Sequence, residues 1–337
     1  MDHRAMVLRG LLALPIVGCG GNAPAPRVTQ DVPIERALEI ATPAGPLGAT
    51  FVAPAGPGRH SAVVIVHGSG SSDRDLTYGP NAPYRDIATG LAARGVASLR
   101  YDKRTKVRPF WFANRVFTVQ DETIDDALAA VALLRQQPEV DLNRVVVIGH
   151  SLGGMVAPRI ASSDRALAGI VIMAGATEAS LVDQVVRQFA YIGALPGADT
   201  AAINAQMRMI APMLERVRAI TPADSANTQL LLGAPAAYWL DLAAYSSAAT
   251  LRQIRMPTLV LQGGRDYQVT IEQLDQWLAL LGRREGLTVR RYPALNHFFI
   301  AGTGTPRPEE YMVEGHVDPA VIDDIATWVR GLAPVRR

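Results

Sequence analysis

One cysteine, Cys19, in a chain of 337 residues excludes an intrachain disulfide framework and a cysteine-rich metal site. Hydrophobic residues make up 49% of the chain, enough for a large core. Yet no stretch after the N-terminal leader supplies the roughly 18 consecutive apolar residues of a membrane-spanning helix. Net charge is nearly absent as well: 33 basic residues face 31 acidic ones, for a formal charge of +2. The basic residues are scattered, so no nucleic-acid partner is expected. Lysine is confined to Lys103 and Lys106, a bias we read as codon usage. Neither a G-x-G-x-x-G pattern nor a Walker lysine accompanies the glycine-rich loops, which argues against a nucleotide site. No internal repeat is visible.

The lone cysteine has an informative setting. Arg4 and Arg9 give a basic start, Gly10 to Gly18 is a short apolar stretch, and Ile16-Val17-Gly18-Cys19 resembles the lipobox of bacterial lipoprotein signal peptides. The expected organisation is a signal peptide over 1–19 ending at a lipidated Cys19 and a flexible tether over 20–27 that contains Pro24 and Pro26. One catalytic-type domain follows over 28–337. The protein is then expected to be exported and held at the cell envelope by its lipid.

From Val28 to His60 short extended runs are broken by prolines and glycines, which predicts a leading antiparallel hairpin or two. Apolar, β-branched runs follow at Ala62–Val66, Val96–Tyr101, Val145–Ile148, Gly169–Met173, Thr258–Gln262 and Leu287–Tyr292. Helical spacing separates them, as in Ile124, Leu128, Val131 and Leu134 behind a capping box of Thr118 and Asp121. A closing helix is predicted near Val321–Leu332. This alternation predicts an α/β fold, a mostly parallel central sheet with helices on both faces. A stretch at about 177–252 interrupts it with helical patterns at Leu181–Phe189, Ile203–Ile220 and Ala236–Tyr245. Inserted after a strand, it is expected to overhang the ligand edge of the sheet as a helical lid.

Gly149-His150-Ser151-Leu152-Gly153 lies between the run Val145–Ile148 and a helical pattern, the strand-turn-helix setting of a nucleophile elbow. A serine hydroxyl needs a base, and the base needs an orienting carboxylate. Asp266 follows the strand at Thr258–Gln262, and His297 follows the strand at Leu287–Tyr292. Of the other histidines, His316 is the one rival for the base. In Val66-His67-Gly68-Ser69-Gly70 the glycines let the main chain approach a substrate, and the amides of Ser69 and Leu152 are the predicted oxyanion donors.

Further runs add to these: Asp73-Arg74-Asp75, Asn81, Pro83-Tyr84-Arg85-Asp86, Leu99-Arg100-Tyr101-Asp102-Lys103-Arg104, Tyr238-Trp239-Leu240-Asp241 and Gly264-Arg265-Asp266-Tyr267. Together the chain resembles bacterial α/β-hydrolases of the carboxylesterase and serine-aminopeptidase-like group over most of its length after about residue 50. Ser-Asp-His is the chain order of that superfamily. The resemblance implies the α/β-hydrolase fold, ester hydrolysis, and the catalytic residues Ser151, Asp266 and His297. One departure is visible: Thr105-Lys106-Val107-Arg108-Pro109-Phe110-Trp111-Phe112 stands where such relatives often carry a glycine-rich turn.

The charged residues between Asp73 and Arg104 are expected to pair with one another and hold loops. Trp111, Phe112, Tyr238, Trp239, Tyr267, Phe298 and Phe299 are candidates for pocket walls or core. The functional expectation is a membrane-tethered serine esterase acting on a small-molecule ester, with no metal or organic cofactor. Two alternatives stand beside it: a peptidase or amidase using the same triad, and a non-catalytic binding lipoprotein that keeps the fold.

Overall fold

Continuous aliphatic runs form strands buried on both faces, and the runs at Val63–Val66, Val145–Ile148 and Ile170–Ile172 are the clearest of them. A computed structural model describes residues 32–177 and 180–335; the expected leader, its tether and Cys19 lie outside them. β1 (Ile34–Ile40) and β2 (Leu47–Ala53) form the leading antiparallel hairpin, and β2 continues antiparallel onto β4 (Ala97–Tyr101). β3 (His60–Val66), β5 (Val140–His150), β6 (Gly169–Met173), β7 (Thr258–Gly263) and β8 (Leu287–Tyr292) run parallel with β4. The order across the eight-stranded sheet is β1-β2-β4-β3-β5-β6-β7-β8.

Alternation along each strand divides the core in two. Val64, Val66, Val145, Val147, Ile170 and Ile172 face one side, where they pack on α3 (Asp125–Leu134), α4 (Leu152–Ser163), α8 (Ser247–Gln253) and α9 (Ile271–Leu281). Val63, Ile65, Val146, Ile148, Val171 and Leu261 face the other, against α1 (Pro83–Ala92) and α10 (Pro319–Gly331). Each fully buried aliphatic side chain contributes roughly 1.5–3 kcal/mol, so both layers are firmly seated. The edge strands differ: β1 alternates in exposure and β8 is only half-buried, as strands covered on one face do.

The element order matches the expectation from sequence, and among the strands the largest boundary shift is at β5. β5 begins at Val140 rather than Val145, because Asp141, Asn143 and Arg144 are polar and half-buried and carry no apolar signal. A register irregularity between His60 and Ala62 accommodates this lead-in. Between β6 and β7 stand α5 (Leu181–Gly193), α6 (Thr200–Arg218) and α7 (Ala236–Ala244), and α8 brings the chain back onto α4. Asp199 and Ser246 cap α6 and α8 by accepting from Ala202 N at 3.0 Å and Ala249 N at 3.1 Å. A four-residue turn of helix, α2 (Arg104–Val107), completes the set.

Candidate active site

β5 ends at His150 and α4 begins at Leu152, so Ser151 alone makes the turn, at φ 56° and ψ −116°. That backbone is unfavourable for an L-residue by roughly 1–3 kcal/mol, and packing must hold it. Two glycines make the packing possible. A Cβ on Gly153 would stand 2.6 Å from both Val66 O and His67 O, and one on Gly149 would run into Gly153 O. Strand, helix and the 67–70 loop therefore meet main chain to main chain. Ser151 N donates to Met173 O at 2.9 Å, and Met155 N closes the first turn of α4 on Ser151 O at 2.9 Å.

β8 is separated from β5 by β6 and β7, so the loop after β8 must cross the ends of two strands to approach Ser151. Gly263 and Gly264 clear the way. A Cβ on Gly263 would collide with Leu295 O, and one on Gly264 would lie 2.8 Å from Pro293 Cα. Arg265 N donates to Leu295 O at 2.9 Å, fixing the crossing loop to the one that carries Asp266. His297 Nδ1 then donates to Asp266 Oδ2 at 2.7 Å, with both side chains buried. Asp266 is itself oriented: its Oδ1 accepts from Gln268 N at 2.8 Å and Val269 N at 2.9 Å. The pairing leaves Nε2 as the other nitrogen of the His297 ring.

The neighbour of the serine reaches that histidine directly. Neutral His150 donates from Nε2 to His297 O at 3.0 Å and accepts on Nδ1 from the Tyr84 hydroxyl at 3.1 Å. The two imidazole rings lie 4.7 Å apart. Neutral His67 donates from Nε2 to Tyr101 O and accepts on Nδ1 from Ser72 Oγ at 2.9 Å, bracing the loop that carries Ser69. Burial pushes the His67 imidazole down to about 4 and the His150 imidazole down to about 3.

Both histidines bind a proton more readily unfolded than folded, so the stability they contribute is complete above about pH 6.5. It is lost as pH falls from there toward their folded values, at up to about 1.4 kcal/mol per pH unit for each. Urea titrations of the wild type between pH 7 and 4.5 are expected to show this fall. His150→Gln should have a shallower slope over the same range, and an unchanged slope would remove His150 as a source.

Ser151, Ser69 and Leu152 line one cavity of about 320 Å³. Leu152 opens α4, where amides have no acceptor within the helix. Leu181, Val182, Gln184, Val185 and Gln188 of α5, with Leu232 and Trp239, line the same cavity. The helical insertion therefore supplies one wall. None of the described residues lining this cavity is charged. A second cavity of about 460 Å³ shares Met155, Leu181, Val182 and Trp239 with the first. Among the described residues, no group of three or more His, Cys, Asp or Glu could hold a metal ion.

His316 is exposed and pairs with Asp86 at 3.2 Å rather than with either triad candidate. Of the aromatic residues considered for pocket walls, Trp239 lines the cavity beside Ser151, and the other six are absent from its lining. Trp111 is stacked under Arg104 and beside Arg115, at 4.5 and 4.8 Å. Phe112 packs on Phe117, and Phe299 is fully buried. The run 105–112 that replaces a glycine-rich turn thus builds core and surface. Arg74 pairs with Asp102 and Arg100 with Asp75, as expected, whereas Arg104 reaches outside the run to Asp126 of α3. Met155 and the walls from α5 carried no signal in the sequence beyond their helical spacing.

The sequence profile described as the alpha/beta hydrolase family matches residues 63–312. Esterase EstD of Thermotoga maritima is 40% identical over 280 residues, which is 82% of this chain and 63% of the relative. The chain thus spans a little under two thirds of that relative's length. Among solved structures, the Pyrococcus furiosus esterase Pf2001 superposes with a TM-score of 0.57 at 18% identity, covering 89% of this chain and 91% of that one. The Pyrococcus horikoshii acylaminoacyl peptidase gives 0.56 at 12% identity, over 92% of this chain and 43% of that one. These two likenesses are of fold.

Proposed function

Since the chain belongs to the alpha/beta hydrolase family, we propose that it is a serine hydrolase that cleaves carboxylic esters through an acyl-enzyme intermediate on Ser151. The observation that carries the reading is a serine on a strained strand-helix turn whose neighbour, His150, bonds to the main chain of a histidine in a buried pair with aspartate. Ser151 Oγ attacks the ester carbonyl carbon as its proton passes to His297 Nε2. The carbonyl oxygen becomes an alkoxide and takes hydrogen bonds from the amides of Ser69 and Leu152. Collapse breaks the bond to the alcohol, which leaves with the proton from His297. Water then attacks the acyl group by the same route in reverse order, releasing the acid and restoring the serine.

The described residues lining the cavity carry no charge, which favours an ester over a peptide terminus, since a free ammonium or carboxylate would lose its hydration among them without a counter-charge. The 40% identity to an esterase supports the same choice. Side-by-side turnover of p-nitrophenyl acetate and aminoacyl p-nitroanilides tests it. The ester is expected to win by at least about 100-fold in kcat/KM, a gap of roughly 2.7 kcal/mol in transition-state binding. Faster anilide turnover would replace the esterase reading with the peptidase one.

The insertion between β6 and β7 is read as a lid, because α5 and Trp239 line the same cavity as Ser151. For the N-terminus we hold to export and lipidation at Cys19, on the strength of the lipobox-like run before it. Labelled palmitate should enter the full chain produced in a bacterial host and be lost in Cys19→Ser. Label that survives the substitution would overturn the anchor.

A further inference from the structure

The chain has two lysines, and one of them is buried. Lys103 is 2% exposed and lines neither cavity. Its Nζ pairs with Glu122 Oε1 at 2.5 Å, and Glu122 is 4% exposed. Burying such a pair is costly to desolvate and is weak evidence for stability, so its use has to be sought in what else it touches. Nζ also donates to Gly68 O at 2.7 Å.

That carbonyl belongs to the peptide whose amide is Ser69 N–H. In a trans peptide the C=O and N–H point to opposite sides, so holding Gly68 O on Lys103 turns the Ser69 amide the other way, toward the cavity it shares with Ser151. Gly68 lies directly against the serine, since a Cβ there would stand 3.0 Å from Ser151 Cβ. Glycine before this peptide makes a flip of the peptide plane sterically cheap. A flipped peptide would present a carbonyl oxygen, not a donor, to the developing alkoxide.

The rest of the loop is held by other groups. Lys103 N donates to Ser72 O at 3.1 Å, Thr105 Oγ1 to Gly70 O at 3.1 Å, and His67 to Tyr101 O. Only the lysine side chain among these acts on the Gly68–Ser69 peptide itself. Its charge also polarises that peptide, which makes the amide a stronger donor. Glu122 is positioned for this by the π turn Gln120–Ile124, and its Oε2 accepts from Thr123 Oγ1 at 2.5 Å.

We infer that Lys103, fixed by Glu122, is a positioning residue for the oxyanion site: it locks the Gly68–Ser69 peptide with its N–H toward the substrate carbonyl oxygen. The inference rests on the esterase reading and on Ser69 as a donor.

The test compares wild type, Lys103→Met, Lys103→Gln and the double variant Lys103→Met/Glu122→Gln on p-nitrophenyl acetate. It adds inhibition by an aryl trifluoromethyl ketone, whose serine adduct places an oxyanion in the same site. Loss of one oxyanion donor costs about 100- to 1,000-fold in turnover. The Met variants are therefore expected to lose about 100-fold in kcat, with KM changed less than about threefold and ketone affinity falling in parallel. Lys103→Gln keeps an N–H donor for Gly68 O and should recover part of the loss. The double variant leaves no buried charge unpaired and carries the test where the single one unfolds. A folded double variant with kcat within threefold of wild type, or ketone affinity unchanged, overturns the inference. Wild type that does not turn over the ester would instead bring down the esterase reading.

Discussion

Ser151→Ala is expected to lower kcat on p-nitrophenyl acetate on the order of a million-fold. The substitution removes the atom that forms the acyl bond and leaves the turn around it in place. Alanine is smaller than serine, the Ser151 N–H to Met173 O bond is made by the main chain, and the glycines that allow the close approach at Gly149 and Gly153 are untouched. Binding should survive, so KM for residual turnover and the denaturation midpoint are expected near wild type. A fluorophosphonate probe should add its phosphonyl group to the Ser151 peptide of the wild type and fail to label the variant. Activity in the folded variant within tenfold of wild type, or unchanged labelling, would end the mechanism at Ser151, whereas folded wild type that neither turns over ester nor takes the label would favour the binding-protein alternative.

The features that mark this serine are local ones. Ser151 is legible because an elbow needs small residues two positions away on each side, and that requirement is written within five residues. Asp266 and His297 are legible because each follows an apolar run by a few residues, which places both at the carboxyl ends of parallel strands. The hairpin, the parallel alternation and the helical insertion could be read for similar reasons: each leaves a periodic or a broken pattern within a short window.

What escaped the sequence depends on contacts between distant residues. Lys103 reads as one more charge in a basic run, and Glu122 sits within a helical pattern that would turn it to solvent. The π turn at Gln120–Ile124 adds a residue to that turn, and the carboxylate ends beside Lys103 in the interior. Nothing in either segment alone announces the meeting. The aromatic residues near the loops misled for the same reason. Trp111 and Phe112 follow the loop after β4, yet an arginine stack and a phenylalanine pair claim them, while the cavity beside Ser151 is lined by aliphatic and glutamine side chains of α5 together with Leu232 and Trp239. Likewise His150 reads as an elbow residue, and only the fold shows it spanning from Tyr84 to the main chain of His297.

Asp266→Asn is the second large effect, expected at about 10,000-fold in kcat, and here the site geometry dictates the direction. Asp266 has two faces with fixed demands. Oδ1 accepts from the amides of Gln268 and Val269, so an asparagine must present its carbonyl oxygen there. Its NH2 group is then forced to the position of Oδ2, 2.7 Å from His297 Nδ1. Two donors cannot share that contact, and the imidazole answers by moving its proton to Nε2 and accepting on Nδ1. Nε2 then has no lone pair for the Ser151 proton. Because size and shape hardly change, the denaturation midpoint should stay close to wild type while kcat collapses and KM holds. A fall in KM-independent turnover of less than about tenfold would mean that the carboxylate serves only to hold the loop. Replacement by alanine is expected to be less specific, since it strips the Gln268 and Val269 amides of their acceptor in a buried site, and stability would fall along with activity.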